Sequence, residues 1–193
     1  MAEAQAQPLS QSQFDVLYTL LRAGDALTQR QIQTSTGMSL GRVNAAVREC
    51  EAAGYIQERH LTEAGRTALE PYRVDNAVIM AAGLSQRFAP ISYERPKGML
   101  RVRDEVLVER QIRQLHEAGI TDVTVVVGYK KEYFFYLAEQ FDVRIVVNDD
   151  YVSRNNNGSL WLVRDILANT FICSSDDYFT DNPFESHVYK AYY

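Results

Sequence analysis

The chain has 193 residues, of which 46% are hydrophobic, 11% aromatic and 23% charged, a balance that suits one or two globular domains and excludes disorder, collagen and coiled coil. Twenty Lys and Arg against 25 Asp and Glu give a net charge of -5, so no global positive field gathers nucleic acid or anionic lipid, and any DNA contact must be local. Two cysteines, Cys50 and Cys173, are too few for a disulfide framework, and three His without metal-ligand spacing leave no zinc site. These features, with a start that has no apolar signal core and apolar runs too short to span a bilayer, predict a protein of the reducing cytoplasm without membrane insertion.

Phe14, Leu17, Leu20 and Leu21 share one face of a first helix that breaks at Gly24 and Asp25. Thr28 can cap a short second helix, and Ser39 a third over 40–53, with Val43, Ala46, Val47 and Cys50 inward and Gly54 as the stop. Residues 55–61 then read as a hairpin, and Thr62 caps a further helix that runs to Leu69. The texture changes near 71–75, from helical periods to β-rich runs, which predicts a mainly α domain over 1–73 and a second domain over 74–193. The front part has seven Arg and no Lys against eight acidic residues, and the rest 13 basic against 17 acidic, so neither is a basic module.

Three helices, a tight turn at Ser35, Thr36 and Gly37, and a hairpin resemble the winged helix-turn-helix family over about 60 residues. That resemblance implies that the third helix enters a major groove, presenting Ser39, Arg42, Asn44 and Arg48 to DNA. The absence of Lys suits the other use of such a unit, packing or dimerisation, since DNA binding relies on Lys and Arg to neutralise phosphates.

In the second part, an apolar strand over 76–80 empties into Ala81, Ala82, Gly83, Leu84 and Ser85, followed by Arg87. Small residues there let backbone N–H groups approach phosphate oxygens, and a guanidinium adds a forked cationic clamp. Pro96 then sets Lys97 on a stiff turn before a short strand over 99–102. A helix over 107–118 with Val108, Ile112 and Leu115 inward, a strand over 123–127, a helix over 132–140 and a strand over 143–147 complete a βαβ rhythm. Short connections of this kind imply a parallel core with the ligand crevice at the carboxyl ends of its strands.

Ala81-Ala82-Gly83-Leu84, Arg87 and the later Pro96-Lys97 resemble the signature of the sugar-phosphate nucleotidyltransferase family, with Ser85 where that family usually has a second glycine. The resemblance implies an α/β fold, a Rossmann-like mixed sheet flanked by helices. The run 148–151 and then Asn155, Asn156, Asn157, Gly158, Ser159 and Leu160 resemble the bacterial phosphocholine cytidylyltransferases within that family. By that likeness Asn155, Asn156 and Ser159 lie near the base of CTP, where amides and a hydroxyl supply the donors and acceptors that a pyrimidine edge needs; equally, one of them caps the following helix. The apolar strand from Thr170 ends in Ser174, Ser175, Asp176 and Asp177, and the resemblance matches Asp176 to the Mg²⁺-binding aspartate, with Ser174 in place of a first acid and Asp177 as a deputy.

The implied chemistry joins two anions, an acceptor phosphate and the α-phosphorus of the triphosphate, so cations must offset their repulsion. Arg87 is assigned to the outer phosphates and Lys97 to the α-phosphate region or the acceptor phosphate, while the 81–85 backbone cradles the chain of phosphates. A phosphocholine acceptor calls for aromatic and acidic neighbours, with Tyr178 the nearest candidate in sequence. Members of the family generally continue for about as far again, so the expectation is a fragment of a larger enzyme with little turnover alone. A transferase for another phosphorylated acceptor, or a DNA-binding regulator that senses nucleotide, are the alternatives.

Overall fold

The computed structural model of the chain describes residues 8–84, 89–152 and 156–193. It divides into two compact units, one made of residues up to Arg73 together with His187–Tyr193 and the other of Val74–Ser186. The sequence division at 73 and 74 coincides with this boundary, but the last seven residues group with the first unit. Aromatic packing explains the return: Tyr189 stacks on Tyr72 at 5.7 Å between ring centroids, and its hydroxyl donates to the Leu9 carbonyl at 3.2 Å.

The first unit holds α1 (Gln11–Ala23), α2 (Gln29–Thr36), α3 (Leu40–Ala52), the two-stranded β1 (Ile56–Gln57) and β2 (His60–Leu61), and α4 (Glu63–Leu69). Side chains set the helix starts. Ser10 and Thr28 each form a reciprocal capping box with the Gln three residues on, while Ser39 and Thr62 accept from the N–H groups of Arg42 and Gly65. Phe14, Leu17, Ile32, Val43, Val47, Cys50, Ile56 and Leu69 close one core among these elements.

The second unit is built on a four-stranded sheet of β3 (Asn76–Ala81), β6 (Val123–Val127), β7 (Arg144–Val147) and β8 (Thr170–Ser174), in the order β7-β6-β3-β8 with every pair parallel. The central strands are buried on both faces, as their unbroken apolar runs require. One face carries Ile79, Val125, Val127 and Cys173 against Val108, Ile112 and Leu115 of α6 (Leu107–Glu117) and Leu137 of α7 (Tyr136–Phe141); the other carries Val78 and Val126 against Val163. The helix expected over 132–140 is two pieces, a 3₁₀ turn at Lys131–Phe134 and then α7. The strand expected over 99–102 shortens to β4 (Arg101–Val102), because Lys97–Met99 forms a 3₁₀ turn; β4 pairs with β5 (Glu105–Val106) as a separate hairpin.

The order of the sheet positions the site. After β3 the chain builds outward through β6 and β7, then crosses to place β8 on the other side of β3. The carboxyl ends of β3 and β8 therefore lie side by side at the point where the order reverses, which is where an open parallel sheet binds its ligand. Among the described residues no helix is long and apolar enough to cross a membrane.

Candidate nucleotide site

β3 ends at Ala81, and Ala82 follows it in a buried position, 6% exposed, with Gly83 and Leu84 beyond. A Cβ built on Gly83 meets nothing within 4 Å. The turn is braced from the next strand: the Tyr129 N–H donates to the Ala82 carbonyl at 3.1 Å. Gly128, at the end of β6, makes that approach possible, because a Cβ there would lie 2.8 Å from the Ala82 carbonyl oxygen and 2.8 Å from Tyr151 Cβ.

Across the crevice, Lys97 meets Asp176. Pro96 in extended conformation starts the 3₁₀ turn that carries Lys97, and β8 delivers Asp176 two residues after its end. Lys97 Nζ donates to Asp176 Oδ2 at 3.0 Å, with the two side chains 22% and 32% exposed. Gly98 allows this meeting, since a Cβ on it would sit 3.0 Å from Ser175 Cβ and 3.2 Å from the Ser175 carbonyl oxygen. The other carboxylate oxygen, Oδ1, accepts from the Ser174 hydroxyl. Burial pushes the Asp176 carboxyl upward, but the Ser174 hydroxyl and the Lys97 ammonium outweigh it and hold the pKa below the usual 3.8. Asp177 moves the other way, raised by burial and by the Asp176 charge beside it. Among the described residues the site thus pairs the ionised Asp176 carboxylate with the Lys97 ammonium group.

The structure brings Ala81, Ala82, Gly83, Leu84, Lys97 and Asp176 to the carboxyl ends of β3 and β8. Ser85, Arg87, Asn155 and the side chain of Asn156 lie outside the described residues. Ser159 lies within α8 (Asn156–Leu162) at 2% exposure, and its hydroxyl accepts from Asn148 Nδ2 at 2.9 Å, so it faces inward. Tyr178 has the Arg110 guanidinium 4.8 Å from its ring centroid, so one face already carries a cation. In the first unit, Ser39 caps α3 and Arg42 turns back to donate to Ser12 Oγ at 3.0 Å. Asn44 has a buried Oδ1 without a partner among the described residues, while Arg48 is exposed. Both cysteines are buried, and burial first, then nearby carboxylates, pushes their thiols up to about 12.

Three residues to which the sequence assigned no role also contribute. Lys130 Nζ donates to the Tyr93 and Glu94 carbonyls at 2.6 and 3.1 Å, holding α5 (Ile91–Glu94) just ahead of Pro96 and Lys97. Asn148, 2% exposed, links the end of β7 to Ser159 and accepts from the Asp150 N–H at 3.0 Å. Gln111 of α6 is 1% exposed and reaches the turn that carries Asp176. The signal for the first two was position: both follow parallel strands, β6 and β7, at the carboxyl edge where ligands bind.

Residues 77–182 match the family described as MobA-like NTP transferase domain, and residues 7–67 match the MarR family. A choline-phosphate cytidylyltransferase of Streptococcus pneumoniae is 42% identical over 117 residues, 61% of this chain and 51% of that protein. A 2-aminoethylphosphonate cytidylyltransferase of Lancefieldella rimae is 40% identical over 118 residues, 60% of this chain and 46% of that protein. Among solved structures, a CTP:phosphocholine cytidylyltransferase from Streptococcus pneumoniae superposes with a TM-score of 0.57 at 43% identity, covering 59% of this chain and 50% of that one. The chain spans about half the length of the curated relatives it matches.

Proposed function

Because the chain belongs to the MobA-like NTP transferase family, we propose that its Val74–Ser186 unit binds CTP and forms the nucleotide half of a cytidylyltransferase that releases pyrophosphate. The acceptor is a small phosphate or phosphonate monoester bearing a cationic nitrogen, phosphocholine first. The relatives that act on choline phosphate and on 2-aminoethylphosphonate, at 42% and 40% identity, support that class of acceptor. One observation carries the reading. The small-residue turn after β3, the Lys97 ammonium and the Asp176 carboxylate converge where the strand order reverses.

Each group has a physical task. The 82–84 backbone faces the phosphate oxygens in this reading, and the open space around Gly83 Cα supports that task. Lys97 offsets the charge of the α-phosphate region or of the attacking monoester, which is already ionised and needs no general base. Arg87 serves the outer phosphates in this reading. The donor set fits Mg²⁺: a single ionised carboxylate is how a hard cation is held when substrate phosphates supply its other oxygens, and Asp176 is kept ionised by its neighbours. When bound, Mg²⁺ neutralises charge building on the phosphates.

The test is calorimetric titration of the 193-residue chain with CTP, UTP, dTTP and GTP in Mg²⁺, followed by pyrophosphate release with phosphocholine and 2-aminoethylphosphonate. CTP is expected to bind tightest, with loss of at least 10-fold in Lys97→Met, in which an ion pair to phosphate is removed. A chain that binds none of the four, or prefers GTP, contradicts the reading.

A further inference from the structure

Helix α6 presents three polar residues, Arg110, Gln111 and Gln114, to one segment, the connection that leaves β8 and carries Asp176. Arg110 Nε and Nη2 donate to the Phe179 and Thr180 carbonyls at 2.8 and 2.9 Å, and its guanidinium covers the Tyr178 ring at 4.8 Å. Gln114 Nε2 donates to the Phe179 carbonyl at 3.3 Å, and Asn182 Nδ2 returns a bond to the Gln114 carbonyl at 2.8 Å. Gln111 is the innermost of the three. Its Nε2 donates to the Ser174 carbonyl at 2.7 Å and to the Asp177 carbonyl at 3.2 Å.

Those two carbonyls are the ends of the turn in which Ser175 and Asp176 sit, so one side-chain amide spans the turn from beneath. The amide is itself held in place, 1% exposed and one residue from Ile112, which is fully buried against the sheet. A buried glutamine costs desolvation that an apolar side chain at the same helical position would avoid. Its Oε1 is buried with no partner among the described residues, so the position is not explained by hydrogen-bond satisfaction of the glutamine. What the residue does gain is a pair of bonds that ties the end of β8 to Asp177, on either side of Asp176.

We propose that Gln111 is a positioning residue: by bridging the Ser174 and Asp177 carbonyls it aims the Asp176 carboxylate into the crevice, and it sets the affinity of that carboxylate for the divalent cation that accompanies the nucleotide. This rests on the nucleotide reading above. Gln111 touches neither substrate nor cation and acts through the turn alone. Residues that orient a metal-binding carboxylate typically change metal affinity about 10- to 100-fold when replaced.

The experiment uses the whole chain and Mn²⁺ as the probe, followed by electron paramagnetic resonance with and without CTP. Nucleotide affinity in the presence of EDTA is measured alongside. Gln111→Leu removes both donated bonds; Gln111→Glu keeps the shape but turns carboxylate oxygens toward the two carbonyls. Both variants are expected to bind metal-free CTP within about 2-fold of the unmutated chain and to lose at least 10-fold in CTP-dependent Mn²⁺ affinity. The circular dichroism melt identifies a variant that does not fold, and the other then decides. Equal Mn²⁺ affinity in a folded variant overturns the role of Gln111 while leaving the nucleotide reading intact. Parallel losses with and without metal reduce the residue to a structural one and also overturn the proposal. An unmutated chain that binds no nucleotide overturns both readings at once.

Discussion

Gly128 shows how tightly single residues are held at the nucleotide site. Its missing side chain leaves room for the Ala82 carbonyl on one side and the Tyr151 side chain on the other, both at 2.8 Å from where a Cβ would lie. A backbone carbonyl bound by the Tyr129 N–H cannot swing away as the end of a flexible side chain can. Gly128→Ala is therefore expected to destabilise the Val74–Ser186 unit by about 1–3 kcal/mol through overpacking, seen as a lower urea midpoint, and to weaken CTP binding by shifting the 82–84 turn. An unchanged midpoint and affinity contradict the bracing described for that turn. Lys97 and Asp176 were legible in the sequence because each has a local signature, a proline before the lysine and an apolar strand before the acid. Gln111, Lys130 and Asn148 were not, because their importance lies in partners 63, 37 and 11 residues away. Ser159 is ambiguous for a related reason. A hydroxyl near a helix start serves a ligand or the interior equally well by pattern, and only its contact with Asn148 shows that it faces inward.

Elements were easier to read than side chains wherever a cap or a period marked them. Ser39 and Thr62 start helices as their positions implied, and the apolar runs at 76–80 and 123–127 became central strands. The helix over 132–140 divides at Phe135 into a 3₁₀ turn and α7, and the turn starts from Lys130 in a left-handed conformation at φ 51° that no local pattern announced. The segment after β8 has neither period nor cap, so its return to the first unit was invisible in the sequence. There the Val188 N–H donates to the Tyr72 carbonyl at 2.8 Å, and the His187 ring packs 5.6 Å from that of Tyr18. Burial lowers the His187 pKa below its usual 6.5, opposed by Glu70 and aided by Arg73. Folding thus favours the neutral ring: the contribution is fully present above about pH 6.5 and is lost as the pH falls through the depressed value. Hydrogen exchange at the Val188 amide, corrected for its intrinsic rate, is expected to be less protected at pH 5 than at pH 7.5; equal protection contradicts docking through a neutral His187.

On the scale of the whole molecule, two compact units carry two separate family matches; composition allowed one or two domains, and only the change of period pointed to two. The change in periodicity near 71–75 is a physical consequence of a helical core giving way to a parallel sheet. Strand order is different: nothing local in the apolar run at 170–174 says that it lies beside β3 rather than beyond β7, yet that placement opens the crevice. The small-residue turn, Lys97 and Asp176 come from three stretches separated by 13 or more residues; the pairing of β3 with β8 brings the first and last together, and the 3₁₀ turn after Pro96 carries Lys97 to Asp176. The most direct measurement is a crystal structure of the chain soaked with CTP and Mg²⁺. The account predicts the triphosphate on the 82–84 backbone, with Lys97 against its phosphates and the Asp176 carboxylate facing them; a nucleotide bound elsewhere, or phosphates remote from both side chains, contradicts it.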